Sequence, residues 1–514
     1  MNGADALIST LIANDVTACF ANPGTSEMQF VAALDRNPAM RPVLCLFEGV
    51  ATGAADGYAR ISGKPACTLL HLGPGYGNGL ANLHNARRAF TPVVNVVGDQ
   101  ATYHRQYDPP LSSDIHGIVS PNSLWVQSAE SPDAVASLAA EAVGASYGPP
   151  GGPVTLILPA DSAWLETKAA DPVLAQKPVR PAPDGAAIDA AAKAIKAAKN
   201  PVVLIGGQAC LADGLAQAAR LQAAGVTIYA DTFLARIPRG AGVFAPKRMQ
   251  YFAEMAMAEL QGVDLMVFAG TTQPVAFFAY PNRPSVLVPQ GCQTLSAIAR
   301  AEDAVAGLTA LADALGAPKT GPAPALALPD AAPTGNLTSY AAGASIARHM
   351  PEGAIICDDS VTSGAGVAAG VATARPHEAL GLTGGAIGDG LPMAVGAAVA
   401  APDRKVISLN GDGSGMYTIQ SLWTMARENL DVTVVVFANN SYRILNIEME
   451  RTGAGAAGPQ AAKLLGLGDP SLDWVPLARG LGVTATRCDT AEQFEAAFAE
   501  AMSQRGPRFI EAVI

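Results

Sequence analysis

The sequence predicts an α/β protein made of three consecutive open α/β units with mainly parallel sheets. Two observations carry that expectation. Short apolar runs alternate throughout with Ala- and Gly-rich stretches of helical character, and two Pro/Ala-rich segments without periodicity divide the pattern. The length agrees, since 514 residues allow about three domains at roughly 150 residues each.

The first unit spans residues 1–166, with strands expected at 17–20, 43–47, 66–70, 93–97 and 154–158. Gly- and Pro-rich turns are expected between them, at Asn22-Pro23-Gly24-Thr25 and over residues 73–78. Residues 167–185, with Pro178, Pro181 and Pro183, read as a linker. The second unit, 186–315, opens on the apolar run after Asn200 and continues with expected strands at 226–229, 265–270 and 285–288. A second linker covers 316–336, and the third unit runs over 337–514, from the strand before Asp358-Asp359 to a final strand at 509–514.

The third unit holds the densest signal. An apolar strand at 406–409 turns through Asn410-Gly411-Asp412-Gly413-Ser414, a helix is expected over 418–427, and a strand at 432–437 ends in Asn439-Asn440-Ser441-Tyr442. In a parallel sheet Asp412 and Asn439 fall on the carboxyl edge, where open α/β sheets bind ligands. Gly411 and Gly413 let the backbone approach a ligand, and the following helix offers free N–H groups to an anion. A carboxylate and an amide oxygen are hard ligands suited to Mg²⁺, which commonly takes further oxygens from a phosphate. The stretch reads as a magnesium–diphosphate cradle.

Composition excludes other classes. A formal net charge of -11 and the absence of Lys/Arg clusters argue against nucleic acid. No basic leader with an apolar run opens the chain, and no apolar run is long enough to span a bilayer, so a soluble cytoplasmic protein is expected. Seven scattered cysteines without Cys-x-x-Cys spacing read as buried free thiols.

Glu48 ends an apolar strand and opens an Ala/Gly-rich helix. Burial there suits a carboxyl to proton transfer, and the same position equally suits a helix N-terminal carboxylate. Together with Gly411-Asp412-Gly413, Asn439-Asn440, the run Thr383-Gly384-Gly385-Ala386-Ile387-Gly388, Gly390-Leu391-Pro392 and Ser421-Leu422-Trp423, Glu48 resembles the signature of thiamine-diphosphate-dependent 2-oxo-acid enzymes. The resemblance is to benzoylformate decarboxylase and the acetolactate synthase large subunit. It implies a pyrimidine-binding first unit, a central unit and a diphosphate-binding third unit.

The resemblance also implies roles. Asp412, Asn439 and the Ser441 main-chain carbonyl would bind Mg²⁺, although Asn440 stands where the family commonly has Gly. Gly411, Gly413, Ser414, Val361, Thr362 and Tyr442 would lie at the diphosphate. The Gly385 carbonyl would face the aminopyrimidine, and Ile387 would be the apolar wedge that bends the cofactor. Glu48 would hold a proton at the pyrimidine ring. His71 matches an active-site histidine of benzoylformate decarboxylase, where acetolactate synthases usually carry a small hydroxyl residue, and Thr25 matches a substrate-carboxylate serine. A second active-site histidine has no counterpart near Phe277-Phe278-Ala279-Tyr280. Residues 102–108 read as a solvated loop. The expected partner is a small-molecule 2-oxo acid, in a homodimer or homotetramer with its active site between subunits. Flavin remains possible in the central unit without a dinucleotide fingerprint to support it. A flavin oxidase and a non-catalytic regulatory homologue are the alternatives.

Overall fold

A computed structural model describes residues 1–169 and 171–514. The first sheet contains β1 (Ala18–Asn22), β2 (Arg41–Leu44), β3 (Ala66–Leu70), β4 (Val93–Asp99), β5 (Val126–Ser128) and β6 (Pro153–Pro159). They lie in the order β2-β1-β3-β4-β6-β5, all parallel. β2 stops short of the expected 43–47, because Phe47 already has the extended conformation that caps the helix Glu48–Ser62. β5 escapes a sequence reading since it is three residues long and only half-buried.

The central unit supplies β7 (Pro201–Ile205), β8 (Thr227–Ala230), β9 (Arg236–Arg239), β10 (Lys247–Arg248), β11 (Leu265–Ala269) and β12 (Gln293–Ile298). Five of these form a parallel sheet, ordered β10-β8-β7-β11-β12. The strand expected at 285–288 does not form; only a single bridge joins Val286 to Val275. The edge position is taken instead by β12, whose exposed polar residues hide it from an apolar-run search.

The third sheet contains β13 (Ile355–Asp359), β14 (His377–Gly381), β15 (Val406–Gly411), β16 (Val432–Ala438), β17 (Thr484–Cys488) and β18 (Arg508–Val513). Its order is β17-β18-β16-β15-β13-β14-β9. β9 crosses over from the central unit and is the one antiparallel member among the described strands.

The outer units share one continuous core, which includes Val50, Ala54, Leu391, Met393 and Val395, whereas the central unit closes its own around Val203, Leu215 and Leu308. Helix Glu48–Ser62 crosses helix Gly390–Ala400 at close range. A Cβ on Gly396 would lie 1.8 Å from the Ala54 carbonyl oxygen, so this crossing requires glycine. Arg60 locks the junction: it pairs with Asp56 and donates to the carbonyls of Ala235 and Gly381 at 3.1 and 2.7 Å, joining all three units.

The linker segments are strapped to the units beside them. Asn14 accepts from the Ala175 amide and donates to the Val173 carbonyl, and the Ala327 amide bonds Thr373. The linker expected over 167–185 includes residue 170, which lies outside the described residues, and the next helix starts at Gly185. No helix among the described residues is long and apolar enough to cross a membrane.

Candidate active site

The third sheet presents its candidate residues at the carboxyl ends of four neighbouring strands. Val361 and Thr362 follow β13, the loop carrying Gly385 and Ile387 follows β14, Gly411–Ser414 closes β15, and Asn439–Tyr442 follows β16. The Asp412 carboxyl is buried and organises this edge. Its Oδ1 accepts from the Gly413 amide at 2.8 Å, and its Oδ2 from the amides of Asn439 and Asn440 at 3.0 and 2.6 Å. Burial pushes this carboxyl above the usual range, while the three amides pull the other way. Asn439 in turn accepts at Oδ1 from the Ser441 amide at 3.0 Å.

Two backbone outliers shape the same edge. Asn440 has φ 54, a left-handed conformation that asparagine tolerates, so it fills the position where a glycine was expected. Val361 has φ 50, a strained conformation for a β-branched residue that sits at an expected diphosphate contact. Gly413 and Gly385 leave their Cα atoms bare for close approach. A Cβ at Gly413 would lie 2.2 Å from the Tyr442 ring, and one at Gly385, whose φ is 80, would lie 2.5 Å from the Phe277 ring. Ile387 is half-buried and lies outside the core clusters.

The helix expected over 418–427 starts late, and a second, unexpected helix precedes it. Asp412–Tyr417 starts directly at the motif and Ser421–Arg427 follows after a break. The buried Thr418 hydroxyl bonds the Gly388 carbonyl at 2.8 Å, which ties the break to the β14 loop.

The first sheet offers different chemistry. Thr25, Glu48 and His71 follow the adjacent strands β1, β2 and β3. Glu48 is 6% exposed, and its Oε2 accepts from the Asn78 amide at 3.0 Å. A Cβ at Gly75 would lie 3.4 Å from both the Glu48 carboxylate and the His71 Cβ, so the two side chains border one spot. The stretch at 73–78 is therefore no turn. It forms the start of helix Leu72–Ala89, whose small residues let Glu48, Thr52 and Ser113 pack against it, and Pro74 is tolerated in a first turn.

Sequence reading missed the partner of His71. Its Nδ1 lies 2.9 Å from Oε2 of the buried Glu27, which also accepts from the Gly24 amide at 2.7 Å. Thr25 is exposed beside this pair. Asp359 was missed too: its Oδ2 accepts from the amides of Gly388, Asp389 and Gly390, and burial pushes its carboxyl up to about 7. His84, unassigned from sequence, sits 3.1 Å from the Gly384 carbonyl, and Asn85 donates to Ala386, which anchors the β14 loop to helix Leu72–Ala89.

Residues 102–108 are a surface loop as expected, with Tyr103 and Tyr107 exposed and Arg105 paired to Asp99 and Glu130. The cysteines are free, all buried except the half-buried Cys292.

Two carboxyl edges, one bearing titratable side chains and the other a carboxylate–amide cradle, fit a cofactor-dependent enzyme. Family models agree: residues 1–120 match the N-terminal TPP binding domain of thiamine pyrophosphate enzymes, and residues 359–512 match their C-terminal TPP binding domain. The whole chain is 50% identical to a Mycobacterium tuberculosis protein assigned as the acetolactate synthase large subunit IlvX, covering 99% of it. It is 29% identical to benzoylformate decarboxylase of Pseudomonas aeruginosa, with 96% of each chain covered. Among solved structures, the thiamine diphosphate-dependent 4-hydroxybenzoylformate decarboxylase of Rhodococcus jostii superposes with a TM-score of 0.86 at 26% identity, over 100% of this chain and 99% of that one. The chain belongs to the thiamine pyrophosphate enzyme family, and is a thiamine-diphosphate-dependent enzyme of its decarboxylase and carboligase branch. The comparisons give no support for flavin.

Proposed function

We propose that this enzyme binds thiamine diphosphate with Mg²⁺ and decarboxylates a 2-oxo acid, releasing an aldehyde or joining the retained fragment to a second carbonyl. The observation that carries the reading is the division of chemistry between the two outer sheets. In it residues 1–166 are the pyrimidine-binding domain, 186–315 the central domain and 337–514 the diphosphate-binding domain.

The donor set fits the group. Asp412, the Asn439 side chain and the Ser441 main-chain carbonyl form a hard oxygen set with a single carboxylate, suited to a magnesium ion that completes its shell with phosphate oxygens. No cluster of three or more His, Cys, Asp or Glu side chains offers a rival metal site among the described residues. Gly411, Gly413, Ser414, Val361, Thr362 and Tyr442 provide the main-chain approach for a diphosphate, and Gly385 and Ile387 the seat for the aromatic rings. When bound, the cofactor supplies the electron sink that lets carbon dioxide leave.

The chain's own residues then position and protonate. Glu48, enclosed by Asn78 and Gly75, holds a proton at the pyrimidine ring. Glu27 orients the His71 imidazole through Nδ1, leaving Nε2 free to exchange a proton with a reacting group. Thr25 presents its hydroxyl beside this pair to the substrate carboxylate. The pairing of His71 with a buried carboxylate favours proton delivery, and so aldehyde release.

Within the chain Glu48 and Asp412 have separate hydrogen-bond partners. The resemblance to thiamine-diphosphate-dependent 2-oxo-acid enzymes supports a complete site formed between two subunits of a homodimer or homotetramer. Co-expression of Glu48→Gln and Asp412→Ala chains then restores activity that neither has alone; no restoration contradicts the shared site. The function itself is tested with a panel of 2-oxo acids, thiamine diphosphate and Mg²⁺, following carbon dioxide and the organic product. Turnover of one or more acids is expected, and no turnover of any refutes the reading.

A further inference from the structure

A carboxylate at a helix start is ordinarily held by the free amides of its own first turn. Glu48 is held otherwise. The amides of Val50 and Ala51 bond the Phe47 carbonyl at 2.9 and 3.3 Å, and the helix Glu48–Ser62 has no side-chain cap. The carboxyl reaches across to the helix Leu72–Ala89 instead, where the Asn78 side-chain amide donates to its Oε2 at 3.0 Å. This is the one hydrogen bond to the Glu48 carboxyl among the described residues.

The crossing of these two helices fixes Asn78 in turn. Thr52 donates to the Gly79 carbonyl at 2.9 Å, and Asn82 donates to the Gly49 carbonyl at 2.8 Å. A Cβ at Gly79 would lie 2.6 Å from the Thr52 methyl, so the backbones on either side of Asn78 approach closely only because glycine stands there. Asn78 and Asn82 share one face of their helix, the first meeting the Glu48 side chain and the second the main chain beside it. Asn78 is exposed and makes no other side-chain hydrogen bond among the described residues. Asparagine is a poor helix former, so its place here is explained by Glu48 and not by the helix.

An N–H on Oε2 makes that oxygen an acceptor and leaves Oε1 as the atom that can carry a proton. Oε1 borders the bare Cα of Gly75, where a Cβ would lie 3.4 Å away. Resting on the proposed function, we infer that Asn78 is a positioning residue for proton transfer, holding Oε2 of Glu48 so that Oε1 alone exchanges a proton with the pyrimidine ring. Asn78 acts through Glu48, by fixing the orientation of its carboxyl.

The test follows deuterium exchange at the thiazolium C2 of bound thiamine diphosphate by NMR, with cofactor affinity from calorimetry. Asn78→Ala and Asn78→Leu, the second close in shape and favourable in a helix, are each expected to slow exchange about tenfold or more, with affinity within about threefold of wild type. In a Glu48→Gln chain, where exchange is already slow, either substitution costs less than about twofold more. Exchange at the wild-type rate in both variants overturns the inference and leaves the proposed function intact. So does an undiminished slowing in the Glu48→Gln background, which would make Asn78 a structural residue. Should the wild type bind no thiamine diphosphate, the proposed function fails. The hold is then judged by crystal structures of the cofactor-free wild type and Asn78→Ala: a Glu48 carboxyl that leaves its place when the amide is removed supports it, and an unmoved carboxyl overturns it.

Discussion

The two outer sheets are built alike and equipped differently. Both are mainly parallel, both carry their candidate residues at carboxyl ends, and one core joins them. The third sheet uses main chain: bare glycines, three amides gathered on the Asp412 carboxylate, and residues held at positive φ. The first uses titratable side chains, with Glu48 at a helix start and His71 held by Glu27. Main-chain donors hold a charged ligand without exchanging protons, whereas carboxyl and imidazole groups exist to exchange them. In the proposed function one edge anchors the cofactor and the other moves the proton.

Substitutions on the two edges should therefore fail in different ways. The largest effect is expected at Glu48: Glu48→Gln lowers turnover by about 10²–10⁴-fold, measured by carbon dioxide release, at saturating cofactor. On the anchoring edge, Asp412→Ala weakens magnesium-dependent thiamine diphosphate binding by about 10–100-fold in calorimetry. Undiminished binding would break the comparison.

His71→Ala is expected to cut aldehyde formation about tenfold to 100-fold, with Glu27→Gln reproducing part of the loss. A product shift from aldehyde toward hydroxyketone in either variant would sharpen the division between proton delivery and carboligation.

The smallest effect concerns the clamp under the anchor. Burial raises the Asp359 carboxyl from its ordinary range to about 7, so the folded state binds a proton that the unfolded chain releases. This contribution to stability is present below about pH 4 and is lost as pH rises toward 7. Asp359→Asn mimics the protonated form, and melting curves should show its stability falling less than wild type across that window, by roughly 1–3 kcal/mol.

How much of this was legible follows from where the information lies in the chain. The anchoring edge could be read because Gly411, Asp412, Asn439 and Tyr442 sit in one strand–turn–helix–strand run. Glu27 was not readable as the partner of His71, since 44 residues separate them and only the adjacency of β1 and β3 joins them. Residues 73–78 looked like a turn because glycine and proline usually break helices, yet here small residues serve tight packing. Arg60 is four residues beyond Asp56, so that pair was visible in principle. Its bonds to Ala235 and Gly381 exist only in the tertiary fold.

The central claim is that the first sheet handles the proton and the third holds the cofactor. Its most direct test is the rate at which the thiazolium C2 proton of bound thiamine diphosphate exchanges with deuterium in Glu48→Gln, read by NMR alongside cofactor affinity. The account predicts affinity within about threefold of wild type and exchange slowed by about 100-fold or more. Exchange at the wild-type rate would contradict it.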